Sequence, residues 1–240
     1  MLRLPIDATW NVIWDAGKNY TSDDEKIQVT YLKEKFASNA GAHFRAQPKG
    51  FPYSEVAVSY KVFFPRDWDF VLGGKLPGVW GGDPGSGGGN WNSDGWSARV
   101  MFREGGEAVA YLYMSTDQGS YNGSEKCPLV KNQGTGFDDI AHHTNGAGID
   151  IWRKKGLQLK KGTWNSVTLA VKVNTRGKAD GSITLTVNGK TQTFNKICWS
   201  KTSQKINGLT FASWMGGGSA EYAPKKTQRA DFKDITITGS

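Results

Sequence analysis

Two residue pairs in the 240-residue chain have types and spacings suited to proton chemistry on an anion. They are Ser97 and Arg99 in "SARVMF", and Tyr111 and Tyr113 in "AYLYM". A fixed positive charge, a hydroxyl and two phenols can hold a carboxylate and move a proton beside it. A polymer of uronic acids presents that need. The proton at C5 of a uronate is α to the C6 carboxylate, so its removal builds negative charge there, which a cation and hydrogen-bond donors stabilise. A base must take this proton and an acid must protonate the leaving oxygen at C4. In D-glucuronate and D-mannuronate units H5 and O4 lie on one ring face, so one tyrosine could serve both roles. Free tyrosine titrates at about pH 10, and a neighbouring Arg or Lys is expected to lower that value and favour the phenolate.

Whether the four side chains meet depends on strand register, because side chains alternate across a strand. The stretch "SARVMFREGGEAVAYLY" reads as two strands around a glycine turn. With a two-residue turn at Gly105-Gly106, Arg99 opposes Leu112 and both tyrosines fall on the other side. With a three-residue turn, Glu104-Gly105-Gly106, the glycines supply positive φ for a bulged hairpin. Arg99 then faces Tyr111, Ser97 faces Tyr113, Met101 faces Val109, and Arg103 forms a cross-strand salt bridge with Glu107. The reverse face becomes wholly apolar, pairing Phe102 with Ala108, Val100 with Ala110, Ala98 with Leu112, and Trp96 with Met114. The three-residue register is the one expected. Singly, Arg99 reads as a solvated residue and the tyrosines as strand formers; together, opposite a clean core face, they read as a site.

The elements that must carry this face are strands. "EVAVSYKVFF" (55–64) alternates and stops at Pro65, "WNSVTLAVKVNT" (164–175) alternates, and "GSITLTVNGKTQTF" turns at Asn188-Gly189, a two-residue hairpin signal. "INGLTFASWMG" and "ADFKDITITGS" supply two more, while "DDEKIQVTYLKEKF" (23–36) is ambiguous between helix and strand. Many short strands with Gly, Asn and Asp turns predict an all-β fold, an antiparallel β-sandwich of the jelly-roll type with a concave substrate face. No linker divides the chain, so one domain over residues 1–240 is expected. The run 81–95 reads as a glycine-rich loop between strands.

Composition narrows the partner. The net charge of +8 favours an anionic partner, but the basic residues are dispersed, which argues against nucleic acid. No run of eighteen apolar residues exists to span a membrane, and no signal peptide is visible at the start. Ten tryptophans exceed what most domains of this length carry; most are expected in the core. Cys127 and Cys198 allow one disulfide or two thiols, and their spacing to His43, His142 and His143 fits no zinc pattern.

The segments "GGKLPGVWGG" (73–82), "GWSARVMF" (95–102) and "AYLYM" (110–114) together resemble polysaccharide lyase family 14, including its viral members. The ending "FASWMGGGSAEYAPKKTQRADFKDITI" (211–237) is also similar to that family and to glucuronan lyases, so the resemblance runs from about residue 43 onward. It implies a jelly-roll lyase cleaving alginate-like or glucuronate-containing cell-wall polymers by β-elimination, with no obligatory metal and no other cofactor. Lys75 of the K-L-P-G segment, Ser97, Arg99, Tyr111 and Tyr113 match the family's catalytic positions. Without the resemblance, Lys75 reads as a surface lysine before a loop. Arg99, helped by Ser97, is expected to bind the carboxylate. One tyrosine acts as base and acid while the other orients the sugar. Lys75 either adds a second charge or transfers the proton itself. Trp80 and Trp91 are candidates to stack on sugars, and Trp96 is structural. The expected partner is an acidic polysaccharide, glucuronate- or mannuronate-containing, with neither nucleic acid nor membrane. The protein is expected to be a monomer acting outside the host cytoplasm on cell wall, secreted or virion-associated. The rival from another class is a non-catalytic carbohydrate-binding module. A sandwich hydrolase would need two flanking carboxylates, and neither Asp67 with Asp69 nor Asp138 with Asp139 has suitable spacing.

Overall fold

The computed structural model describes residues 2, 4–37, 40–82, 95–114, 141–142, 148–176, 178–200 and 205–240, with backbone only at 141, 142 and 148. Among them are fifteen strands: β1 (Val12–Lys18), β2 (Tyr20–Ser22), β3 (Ile27–Tyr31), β4 (Ala42–Ala46), β5 (Glu55–Phe63), β6 (Gly73–Gly82), β7 (Gly95–Arg103), β8 (Ala108–Tyr113), β9 (Ala141–His142), β10 (Gly148–Ile151), β11 (Trp164–Lys172), β12 (Gly181–Val187), β13 (Lys190–Ile197), β14 (Ile206–Ser213) and β15 (Gln228–Gly239). They form two antiparallel sheets ordered β1-β4-β14-β6-β7-β8-β10-β9 and β13-β12-β11-β5-β15-β3-β2. This is the β-sandwich expected from the alternating segments.

One apolar layer lies between the sheets. From the first come Phe44, Val100, Phe102, Leu112 and Phe211; from the second, Val58, Tyr60, Leu169, Leu185 and Phe232, all at most 2% exposed. Phe211 meets Phe232 across the gap with ring centroids 5.1 Å apart. Trp96 packs on Trp199 at 4.7 Å and is a core residue as expected. The ambiguous segment 23–36 holds β3, whose Ile27, Val29 and Tyr31 are buried in strict alternation. A period of two turns all three into the core between the sheets while the β3 backbone pairs with β15, which a helix would not do. Asn188 and Gly189 both have positive φ, 51° and 82°, as a two-residue hairpin turn requires. Cys198 is disulfide-bonded, while Cys127 lies outside the described residues.

The hairpin of β7 and β8 adopts the three-residue turn. Ser97 pairs with Tyr113, Arg99 with Tyr111, and Met101 with Val109, while Ala98, Val100 and Phe102 face the core. The turn spans Glu104–Gly106, with φ of 69° at Gly105 and 88° at Gly106. The two glycines are not equivalent. A Cβ on Gly105 would meet nothing within 4 Å, whereas one on Gly106 would stand 2.6 Å from the Leu159 carbonyl oxygen and 2.8 Å from the Phe70 ring. Gly105→Ala is therefore expected to cost about 1 kcal/mol, the strain of a left-handed backbone. Gly106→Ala should add overpacking and cost about 3 kcal/mol in all. Urea unfolding of the two variants checks the order; equal losses would mean that the backbone, not the contact, sets the turn.

Candidate active site

On the face of the eight-stranded sheet turned away from the core, β6, β7, β8 and β10 bring together Lys75, Ser97, Arg99, Met101, Arg103, Tyr111, Tyr113 and Asp150. Lys75 reaches this face because of an irregularity in β6. Lys75 pairs with Met101, Leu76 with Val100, and then Gly78 with Arg99, so Pro77 is an extra residue against the partner strand. Proline has no N–H to give to a ladder, and a bulge is where a strand tolerates it. The Tyr60 hydroxyl, rooted in the opposite sheet, donates to the Pro77 carbonyl at 3.3 Å and fixes the bulge from inside the sandwich. The extra residue keeps both Lys75 and Trp80 on the polar face with Leu76 and Val79 in the core. Lys75 is therefore no surface lysine before a loop: it sits in an interior strand and is 7% exposed.

The Lys75 Nζ lies 3.3 Å from the centre of the Tyr111 ring and donates to the Met101 Sδ at 2.9 Å. Arg99 is 3% exposed, and its guanidinium carbon stands 5.0 Å from the Tyr113 ring centre and 5.7 Å from that of Tyr111. The two phenol oxygens are 3.4 Å apart. Ser97 Oγ, Arg99 Nε and Arg99 Nη2 are buried and have no hydrogen-bond partner among the described residues. Buried donors of this kind usually carry a partner. Here they lie beside Tyr111 and Tyr113, a set of donors suited to an anion. Tyr222, from the segment between β14 and β15, packs against the tyrosine cluster.

The electrostatics separate the titratable groups. Burial holds the Lys75 ammonium well below its usual pKa, and the nearby charges of Arg99 and Arg103 push it further down, while Asp150 works in the opposite direction. Tyr111 moves the other way: burial raises it, Tyr113 and Asp150 add to the rise, and Arg99 offsets only part. The expected lowering of a tyrosine by its cationic neighbour is thus overturned, because removing the phenolate from water costs more than Arg99 returns. His43 is held near 3, by burial first and then by Arg99 and Arg45. It stands on β4 with its ring 4.4 Å from Trp214 and 4.6 Å from Trp14.

Two further expectations need correction. Arg103 does not bridge to Glu107: the two meet only through the backbone, where the Arg103 N–H donates to the Glu107 carbonyl at 2.7 Å. The Arg103 guanidinium pairs instead with the buried carboxylate of Asp150, on the neighbouring strand β10 where Asp150 is in register with Tyr111. Glu107, at the mouth of the turn, swings out to Arg153 at 3.2 Å. Trp80, expected as a sugar platform, is 3% exposed, and its ring is faced by the guanidinium of Arg45 at 5.4 Å. Trp91 lies outside the described residues. Asp150, Met101, His43 and Arg45 were not singled out from sequence. The alternation in "AHFRA" (42–46) carries a signal for the last two, since it sets His43 and Arg45 together on the face opposite the buried Phe44.

Known proteins give this geometry a context. The family model described as Polysaccharide lyase 14 matches residues 19–235. Exolysin of Paramecium bursaria Chlorella virus 1 is 25% identical over 179 residues, which are 67% of this chain and 25% of that protein. The matched part thus spans about a quarter of that relative. A marine PL-14 alginate lyase from Aplysia kurodai superposes with a TM-score of 0.74 at 27% identity, covering 90% of this chain and 83% of that one. The alginate lyase vAL-1 from Chlorella virus does so with a TM-score of 0.77 at 26% identity, covering 97% and 94%. An endo-beta-1,4-glucuronan lyase from Trichoderma reesei shares the fold, with a TM-score of 0.53 at 9% identity over 99% and 90% of the two chains.

The corrected ion pairs make a stability expectation. Asp150→Ala removes the buried carboxylate that pairs with Arg103 and is expected to cost about 3–5 kcal/mol. Glu107→Ala removes a half-exposed pair and should cost about 1 kcal/mol or less. Comparable losses in denaturant unfolding would return the dominant ion pair to Glu107.

Proposed function

Because the chain belongs to the polysaccharide lyase 14 family, we propose that its polar face cleaves polyuronates by β-elimination and leaves a 4,5-unsaturated uronate end. The observation that carries this is the pair Lys75 and Tyr111, in contact at 3.3 Å yet pushed to opposite protonation preferences. An amine that is readily neutral beside a phenol that stays protonated is a base next to an acid. Arg99 Nε and Nη2 with Ser97 Oγ bind the C6 carboxylate and stabilise the negative charge that builds there. The Lys75 amine takes the proton from C5. The C5–H electrons form the C4–C5 double bond, the C4–O4 bond breaks, and the Tyr111 phenol protonates the departing oxygen. Tyr113, 3.4 Å from the Tyr111 oxygen, orients the acid and the sugar. Base and acid rise from the same sheet face, so proton and leaving group depart from one side of the sugar. Glucuronate and mannuronate, which carry H5 and O4 on one ring face, suit this; guluronate does not.

A binding module has no need of the separated lysine and tyrosine. A hydrolase needs two carboxylates, yet Asp150 on this face is committed to Arg103. Asp67 pairs with Lys226, and the Asp69 carboxylate accepts from the Val71 N–H. Asp138 and Asp139 lie outside the described residues. The site of action we propose is cell-wall polyuronate outside the cytoplasm; the disulfide at Cys198 supports it, since such bonds persist in oxidising surroundings.

Mixing the protein with polymannuronate or polyglucuronate should raise the ultraviolet absorbance of a conjugated unsaturated uronate, and polyguluronate should give much less. With Lys75 as base, activity is lost as pH falls through its depressed pKa, because protonation removes the lone pair. Lys75→Arg keeps a charge but cannot supply a base, so its kcat should fall by about a hundred- to ten-thousandfold. Tyr111→Phe should fall comparably, with little change in binding. Full turnover in Lys75→Arg would move the base elsewhere.

A further inference from the structure

We propose that the β1–β4 edge of the same sheet carries a second uronate-binding subsite, in which Trp14 stacks on a sugar ring and Arg45 holds that sugar's carboxylate. The inference rests on the polyuronate reading above and extends the site beyond its reacting centre. Four pairings put the residues in one row across the sheet: Trp14 with Arg45, Arg45 with Thr210, Thr210 with Gly78, and Gly78 with Arg99. Neighbouring strands lie about 4.8 Å apart, so the three steps from Arg45 to Arg99 span roughly 14 Å. Two guanidiniums on one line, well separated, suit a polymer that carries a carboxylate on every unit and runs across the strands.

Between them the floor is low. Thr210 is small, and Gly78 has no room for a side chain, since a Cβ there would stand 2.0 Å from the Ala98 carbonyl oxygen. The far end has the features of a built sugar site. The Arg45 guanidinium lies over two indoles, 5.3 Å from the Trp14 ring centre and 5.4 Å from that of Trp80. Such stacking fixes the plane of the guanidinium, and a planar fork of N–H donors is the geometry that recognises a carboxylate. Trp14 is 42% exposed, unlike the buried Trp80, and the edge of its ring contact with His43 steadies it. An exposed indole next to an arginine presents a stacking surface and a charge at once. Trp14 also precedes the stretch matched by the family model, residues 19–235, so this platform is not among the positions by which the family is recognised.

The test compares long polymannuronate or polyglucuronate with the shortest oligomers that are turned over, using Trp14→Ala and Arg45→Gln. Both variants should raise KM on the polymer about tenfold, equal to ~1.4 kcal/mol of lost binding. The KM change should shrink as the oligomer shortens, and kcat should hold on the polymer. A polymer KM equal to wild type in both variants overturns the subsite. So does a loss of the same size on long and short substrates, or a loss confined to kcat, because either marks a merely structural role. Retention of the proteins in gels containing polyuronate separates this outcome from failure of the lyase reading. Should the wild type release no unsaturated product, the lyase reading falls. Weaker retardation of both variants than of wild type would still sustain the subsite, and equal retardation would overturn it.

Discussion

The period of two along a strand is the constraint on which this face depends. Every residue of β7 and β8 is buried, so each side chain is committed either to the sandwich core or to the polar face. Two local irregularities decide the allocation. The three-residue turn at Glu104–Gly106 sets β8 against β7 so that arginine meets tyrosine. The bulge at Pro77 shifts β6 by one residue, so that Lys75 and Trp80 keep the same side despite an odd separation. Removing either irregularity would turn one strand's polar residues into the core, where an unpaired charge is costly. Tyr60 ties the second irregularity to the opposite sheet, so the packing of the sandwich and the position of Lys75 are parts of one arrangement.

The same allocation concentrates charge of one sign. Lys75, Arg99 and Arg103 are buried close together, and Asp150 is the carboxylate among them. Burying that much positive charge costs stability, and the structure limits the cost in three ways. Arg103 is neutralised by Asp150. Arg99 rests against the electron-rich faces of two tyrosines. Lys75, whose pKa is held down, gives up its proton more readily than a solvated lysine. What is left is a site whose potential is positive and whose amine can accept a proton, both produced by the same crowding. An anion placed there would relieve the crowding, and the same crowding is what eases deprotonation of the amine.

Much of this was legible in sequence for a physical reason. The hairpin from Ser97 to Tyr113 has only two sensible registers, and only one of them sorts polar from apolar. The alternating segments at 55–64 and 164–175 became β5 and β11 for the same reason. Lys75 was not legible from pattern: without the resemblance it reads as a surface lysine before a loop, because the glycines and proline of "GGKLPGVWGG" disguise a strand that they merely bend. The Arg103–Asp150 pair was hidden as well, since β10 is far from β7 in sequence and joins through β8. The direction of the Tyr111 shift followed neither from spacing nor from its cationic neighbour Arg99. It follows from burial, which a sequence does not state.

The row from Trp14 to Tyr111 illustrates what a sheet adds to its strands. Its members come from β1, β4, β14, β6, β7 and β8, and no two neighbours in the row apart from Arg99 and Tyr111 share a hairpin joined by a short turn. Antiparallel pairing aligns residues from distant parts of the chain to within one strand spacing. A linear polymer lying across the strands therefore meets side chains in an order unrelated to their order in sequence. Arg99 and Tyr111 rest on the one local hairpin of this row, while Lys75 reaches them from β6 through the pairing of β6 with β7. The more distant contacts rest on long-range pairings, where a shift would weaken binding without moving the base from the acid. That division would separate the proposed proton transfer from the proposed polymer grip within a single sheet.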